Sequence, residues 1–259
     1  MKPNGVITLL TDFQEIDGFV GIMKGVILTI NPDAKIVDIS HQISAQDIEA
    51  GAFILNNSYR YFPPGTIHVA IVDPGVGSER RIIAVASDKY FFVAPDNQIL
   101  KYIFHSIETL TIVEVLNNQY FLKAVSQTFH GRDIFAPVAA HLSMGVPINY
   151  FGREIDNYDR GKIDQPVVSD NIIFGKIIYE DKFGNLITNI AEELINTPIS
   201  SAIIGKTIIN RLSNSYNEVA IGNPLALIGS SGNLEIAVRN GNAQKQLSVN
   251  RGDIVTVKI

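Results

Sequence analysis

The residues best placed for chemistry lie in one short run, Val72-Asp73-Pro74-Gly75-Val76-Gly77-Ser78-Glu79-Arg80-Arg81. The mostly apolar stretch before it, Ile67 to Val72, predicts a strand buried on both faces, because it lacks the alternation of a half-exposed one. The strand ends at an aspartate, and Pro74, Gly75 and Gly77 then break the chain. Proline fixes φ and removes a backbone donor, while glycine accepts positive φ and close backbone approach. Asp73 is therefore expected at the carboxyl end of a strand, where open α/β sheets place their ligands. The loop can fold back and return Arg80 or Arg81 to that carboxylate. A carboxylate–guanidinium pair there could orient a polar substrate or a nucleophile; the alternative is a plain strand exit with solvated arginines.

The second marked run is Phe129-His130-Gly131-Arg132-Asp133-Ile134-Phe135-Ala136-Pro137-Val138-Ala139-Ala140. Asp133 reads as the N-cap of a helix that tolerates Pro137 in its opening turn. His130 falls in the loop ahead of it, available for proton transfer, although a lone histidine is more often structural. Phosphate-binding fingerprints fail. Gly75-x-Gly77 would need a glycine where Arg80 stands, and Gly205-Lys206-Thr207 has Ser200 in place of the first P-loop glycine. A metal-dependent phosphohydrolase using Asp12, Asp17, Asp73 and His130 lacks any paired-ligand spacing such as His-x-x-x-His.

The elements that must hold these runs alternate in type. Val6 to Leu10 predicts a strand that exits through Thr11-Asp12-Phe13. Phe19, Ile22, Met23, Val26, Ile27 and Ile30 then follow helical spacing, with Asp17 a possible cap and Asn31-Pro32 a stop. Lys35 to Ile39 makes a second strand, and Ser44-x-x-Asp47 resembles a capping box opening a helix through Asn56. Ile82 to Ser87 and Tyr90 to Ala94 read as a hairpin, followed by a short helix from Gln98 and a strand from Thr111 to Val115. Strand, helix, strand, helix, strand argues for a mainly parallel sheet covered by helices. After a polar stretch, Asn157 to Asp170, the texture changes to short β-rich runs, which predicts a small β-barrel or sandwich. The expected division is an α/β domain over 1–160 and a β domain over 170–259. Two loops of the second domain, Asp181-Lys182-Phe183-Gly184-Asn185 and Gly229-Ser230-Ser231-Gly232-Asn233, could be simple turns.

Composition narrows the class. At 259 residues, 46% hydrophobic and 18% charged, the chain can bury a sizeable core. A net charge of −5 without a basic stripe argues against a nucleic-acid partner. With no cysteine there are no disulfides, thiolate metal sites or cysteine nucleophiles. No apolar run approaches the ~18 residues of a membrane span, and Val6 to Leu10 is too short for a signal peptide, so a cytoplasmic protein is expected.

The run from Val72 to Arg80 resembles a signature of the S-adenosyl-L-methionine hydroxide adenosyltransferases, adenosylmethionine hydrolases related to the fluorinating and chlorinating enzymes. The resemblance extends over essentially the whole chain, with several motifs in order. It implies that Asp73, Arg80 and His130 are the catalytic set; Arg81 is excluded by spacing. It implies that Asp12 contacts the ribose hydroxyls and that Asp181, Phe183 and Asn185 receive the methionine end and lay a ring beside the adenine. Ser230, Ser231 and Glu235 match the segment that holds the amino-acid end, the backbone near Val238 an adenine-reading position, and Tyr216 an aromatic over the base. The implied reaction is hydrolysis of S-adenosyl-L-methionine to adenosine and methionine at the ribose C5′, without metal or cofactor. The implied assembly is a homotrimer, with substrate between one subunit's N-terminal domain and its neighbour's C-terminal domain. Two alternatives remain: a non-catalytic binding protein, which needs Asp12, Asn185 and Ser230 but not Arg80 and His130, and a halogenase. The halogenating branch lacks the Asp, Arg and His set and carries an extra loop, whereas Ser87 here reaches Tyr90 without an insertion.

Overall fold

The structure, a computed structural model, describes residues 1–195 and 199–259. The chain divides into two compact units, residues 1–163 and 164–259. In the first, seven strands form one sheet: β1 (Val6–Thr11), β2 (Lys35–Ser40), β3 (Ile67–Ile71), β4 (Ile82–Ala86), β5 (Phe91–Pro95), β6 (Thr111–Val115) and β7 (Gly152–Glu154). Their order is β2-β1-β3-β5-β4-β6-β7. β2, β1, β3 and β5 are parallel neighbours, while β4 and β7 run against their partners. The sheet is mainly parallel, as the alternating pattern predicts.

Four helices accompany it: α1 (Phe19–Ile30), α2 (Ile48–Ser58), α3 (Lys101–Ser106) and α4 (Ala136–Ser143). The buried strands explain the lack of alternation in the sequence. Ile7, Leu9, Ile67, Val69 and Ile71 join Met23 and Ile27 of α1 and Val138, Ala139 and Leu142 of α4 in one core. Thr8 and His68 take the intervening positions and bond each other, next to Tyr59 at the end of α2. Both faces of β1 and β3 are therefore covered, and their carboxyl ends are where open α/β sheets receive ligands.

Helix starts depart from the sequence reading. Gly18, not Asp17, precedes α1, without a side-chain cap. Asp47, not Ser44, caps α2, accepting from Ala50 N at 3.1 Å. Asp133 caps nothing. Residues Gly131–Phe135 form one wide π turn, and α4 begins only at Ala136, with Pro137 in its first turn. The Asp133 carboxylate is already taken by Arg132 and by the backbone of Ser126, so it has nothing left for the helix end.

In the second unit the named strands pair antiparallel. Its strands are β8 (Val167–Ser169), β9 (Ile172–Glu180), β10 (Leu186–Ala191), β11 (Ser201–Ile204), β12 (Thr207–Ile209), β13 (Pro224–Ile228), β14 (Asn233–Val238) and β15 (Ile254–Lys258), with the short helix α5 (Ala243–Leu247). The order is β12-β11-β15-β9-β10-β14-β13, with β8 on β9. A bridge between Leu212 and Ala226 of β13 ties the segment after β12 to the opposite edge, which gives a barrel-like closure. Ile173, Ile177, Leu186, Ile190, Leu234, Ile236, Val255 and Val257 fill its interior. Among the described residues, no helix is long and apolar enough to cross a membrane.

Candidate active site

β1 and β3 lie side by side in register, Thr11 opposite Ile71, so Asp12 and Asp73 leave adjacent strand tips. After Asp73 the chain turns at once, Val76 N donating to the Asp73 carbonyl and Ser78 N to the Gly75 carbonyl. Gly77 adopts φ +79°, and a Cβ there would stand 2.3 Å from the Gln127 carbonyl oxygen. Only glycine fits that crossing. The turn carries Arg80 back beside Gly75, and its guanidinium closes on Asp73. Nε donates to both carboxylate oxygens at 2.9 and 3.0 Å, and Nη2 to Oδ2 at 2.5 Å. Arg81 goes elsewhere, to Asp96 at 2.6 Å and to Asn157. The spacing argument for Arg80 over Arg81 thus has a geometric counterpart.

The π turn of Gly131–Phe135 begins directly after His130, and such turns commonly mark functional positions. Arg80 Nη2 stands 2.8 Å from His130 Nδ1. A guanidinium can only donate, so Nδ1 accepts, and the neutral ring carries its proton on Nε2. Burial pushes the His130 pKa down and the Arg80 cation pushes it further, against the opposing pull of Asp73, Asp133 and the Ser126 backbone. The arrangement favours a neutral imidazole. Beside it lies a cavity of about 150 Å³. Ile71, Val76 and the rings of Phe13, Phe19 and Phe129 form its apolar walls, and Asp73 and His130 are its ionisable groups. The three rings pack edge to face at centroid distances of 5.1 to 6.0 Å. Arg80 itself rests 5.8 Å from the Phe135 ring.

Asp12 accepts Gln46 N at 2.8 Å through Oδ2. Its Oδ1 has no protein partner among the described residues, so it can accept from a ligand.

Within the second unit, Asp181 organises its own turn. Oδ1 accepts Phe183 N at 2.8 Å and Asn185 N at 2.9 Å, and Oδ2 accepts Asn185 Nδ2 at 2.9 Å. This turn leaves the Phe183 ring 65% exposed while Asn185 is buried. On β14, Glu235 is buried and accepts from Tyr216 Oη at 2.6 Å. Burial pushes the Glu235 carboxyl pKa up, partly offset by the tyrosine hydrogen bond. A Cβ on Gly229 would meet Glu235 Oε2 at 2.5 Å, so the turn holding the exposed Ser230 and half-buried Ser231 sits directly on this carboxylate. The Val238 carbonyl is occupied by Gly241 N at 3.0 Å.

The sequence reading missed the aromatic triangle, because Phe13, Phe19 and Phe129 come from three separate stretches with no shared spacing. It also missed Asp133 as a buried anchor. The short spacing from Ser126 to Asp133, with Arg132 adjacent, was the only signal.

Comparisons with known proteins give the class. The family models for the SAM hydroxide adenosyltransferase N-terminal and C-terminal domains match residues 7–152 and 175–256. The chain belongs to the SAM hydroxide adenosyltransferase family. It is 37% identical to the (R)-S-adenosyl-L-methionine hydrolase of Methanocaldococcus jannaschii, over 97% of this chain and 95% of that protein. Its identity to the enzyme of the same name from Salinispora tropica is 33%, over 99% of both. A fluorinase from Actinoplanes sp. is 28% identical over 72% of each chain. A crystal structure of an uncharacterized conserved protein from Thermotoga maritima superimposes with a TM-score of 0.91 at 35% identity, covering 98% of this chain and all of that one.

Proposed function

We propose that this protein hydrolyses S-adenosyl-L-methionine to adenosine and L-methionine. An oxygen derived from water attacks the ribose C5′, the C5′–S bond breaks, the bonding pair leaves with sulfur, and the one proton the water loses is released to solvent. Methionine departs as a neutral thioether, so no general acid is required, and no metal or cofactor is assigned a step. The observation that carries the reading is the continuous Asp73–Arg80–His130 chain beside an apolar cavity. Each residue has a distinct task. Asp73 has both oxygens committed to Arg80 and fixes the guanidinium. Arg80 supplies positive charge and, through Nη2, fixes the His130 ring. Its Nη1 has no protein partner among the described residues and can hold an oxygen. His130, with Nδ1 occupied, offers an N–H at Nε2 to the Ser126 carbonyl or to an oxygen in the cavity. Cation and N–H donor together favour hydroxide over water, which makes stabilisation of the nucleophile, rather than removal of its proton by imidazole, the reading that fits the hydrogen-bond directions. The apolar walls strengthen that effect, since hydroxide and sulfonium neutralise each other as the bond forms.

Asp12 is assigned to the ribose hydroxyls. Asp181, Phe183, Asn185, Tyr216, Ser230, Ser231, Glu235 and the Val238 backbone are assigned to the base and the amino-acid end. The assembly proposed is a cytoplasmic homotrimer whose sites are shared between subunits; an active monomer in analytical ultracentrifugation at assay concentration would rule it out. The reaction is tested by turnover in ¹⁸O-labelled water. The label is expected at the adenosine 5′-hydroxyl, with full activity in EDTA. Unlabelled adenosine would overturn attack at C5′, and a 5′-halogenated product in chloride or fluoride would favour the halogenase reading.

A further inference from the structure

We infer that His41 is a positioning residue for the ribose subsite, holding the β1 exit so that Asp12 presents its free oxygen to the diol. The inference rests on the reading above, in which Asp12 binds the ribose. His41 lies just past β2 and is buried, at 2% exposure. The register of β1 on β2 slips at one point: Leu9 faces Asp38, yet Leu10 faces Ser40. The extra residue, Ile39, bulges out, and a bulge re-aims the side chains that follow it. Here it brings His41 beside Thr11, the last residue of β1.

Four contacts then converge on the segment that carries Asp12. His41 Nδ1 lies 2.8 Å from the buried Thr11 Oγ1, and that oxygen accepts Phe13 N at 3.2 Å. The His41 carbonyl accepts Gln14 N at 2.9 Å, and Gln14 Nε2 reaches the Ile43 carbonyl at 3.0 Å. Gln14 is held at φ 60° and Gln46, whose N–H binds Asp12, at φ 65°. Two non-glycine residues in the left-handed region within one clasp mark a conformation imposed by its surroundings. The far side of the ring is also fixed. Nε2 stands 3.0 Å from Asp38 Oδ1, at ion-pair distance though off the line of a well-aligned hydrogen bond, and Asp38 is held by Lys24 at 2.5 Å. The carboxylate beside Nε2 draws the ring proton there, which leaves Nδ1 to accept from the Thr11 hydroxyl, whose oxygen in turn accepts Phe13 N–H. The backbone on either side of Asp12, the residue assigned to ribose, is thus set by a single imidazole.

The test compares adenosine with 2′,3′-dideoxyadenosine by calorimetry on the full chain, alongside kinetics. His41→Leu is expected to weaken adenosine about 10-fold and raise KM similarly, with kcat within about twofold, because a diol partner is misplaced rather than lost. Dideoxyadenosine should bind the variant and the parent equally. His41→Asn, which retains an acceptor near the Nδ1 position, should recover most of the loss. Thr11→Val, which keeps the volume, should reproduce it if the leucine variant folds poorly. On an Asp12→Ala background, His41→Leu should add nothing. Equal losses for both nucleosides, additive losses in the double variant, or unchanged adenosine affinity in folded Thr11→Val would each overturn the inference. Failure of the ribose reading itself shows separately, as Asp12→Ala retaining its preference for adenosine over the dideoxy compound.

Discussion

Replacing Arg80 by methionine separates the two jobs assigned to the guanidinium. The Asp73 and Arg80 side chains are only 5% and 12% exposed. Removing one member of a buried pair typically costs about 3–5 kcal/mol, because the other charge is left uncompensated. The cavity beside Asp73 admits water to the stranded carboxylate, which puts the expected loss near the lower end, about 3 kcal/mol. At roughly 2–4 °C per kcal/mol for a chain of this size, the unfolding midpoint should fall by roughly 6–12 °C. Turnover should fall roughly 10²-fold or more, since both the cation and the restraint on His130 disappear. The double variant Asp73→Asn, Arg80→Met removes the stranded charge and should regain most of the stability while remaining inactive. NMR titration supplies a third readout: without the neighbouring cation, the His130 pKa should rise toward its ordinary value. Calorimetric unfolding, single-turnover chromatography and the titration together test the argument. A stable, active Arg80→Met protein would refute it, as would a double variant no more stable than the single.

Three further outcomes are expected. His68 is fully buried among Tyr59, Phe62, Tyr90 and Phe92, and burial pushes its pKa down to about 3. The unfolded chain binds the extra proton first, so stability is full above pH ~6.5 and drains away as pH falls from there toward about 3; His68→Phe should flatten the stability profile over that window in denaturant titrations. Gly77→Ala combines positive φ with a 2.3 Å clash against the Gln127 carbonyl, and should lower stability by more than ~1 kcal/mol and turnover with it, whereas Gly145→Ala, with positive φ but open space, should affect stability alone. Tyr216→Phe removes the hydrogen bond that holds the Glu235 pKa down against burial, so carboxyl NMR should show that group titrating higher than in the parent.

The parts of this site that could be read from sequence are those where the backbone itself is constrained. Pro74, Gly75 and Gly77 announce a chain reversal by their allowed dihedrals, and the reversal forces Arg80 back onto Asp73. The buried strand Ile67–Ile71 declares itself because helices cover both faces and polar residues are excluded, His68 apart. Asp133 misled for the opposite reason. An acid before an apolar run has the same spacing whether it caps a helix or ties down the loop behind it, and here the Ser126 amide and Arg132 win the carboxylate. His41 left no trace at all, since its role depends on a one-residue slip between β1 and β2 that no periodicity records.

On the proposed reading, the two strand-tip carboxylates let one sheet edge support two kinds of work. Asp73 leaves β3 into a glycine turn that delivers a guanidinium to it, and both of its oxygens are spoken for. Such a carboxylate has little left to give a substrate and acts through Arg80. Asp12 leaves the neighbouring strand, accepts one backbone N–H from Gln46 and, among the described residues, has no cation beside it and one oxygen without a partner. A neutral diol suits that oxygen, because a carboxylate held by a single amide still has lone pairs to satisfy and incurs a desolvation cost when a ligand shuts out water. Exchanging the two environments would fail on both counts: a diol cannot outcompete a bidentate arginine for Asp73, and a nucleophile near an uncompensated Asp12 would be repelled as it became anionic. The difference originates in the loops. The Pro74–Gly77 turn is permissive and brings in charge, while the Thr11–Gln14 exit is clamped by His41 and gives Asp12 one backbone donor, Gln46 N.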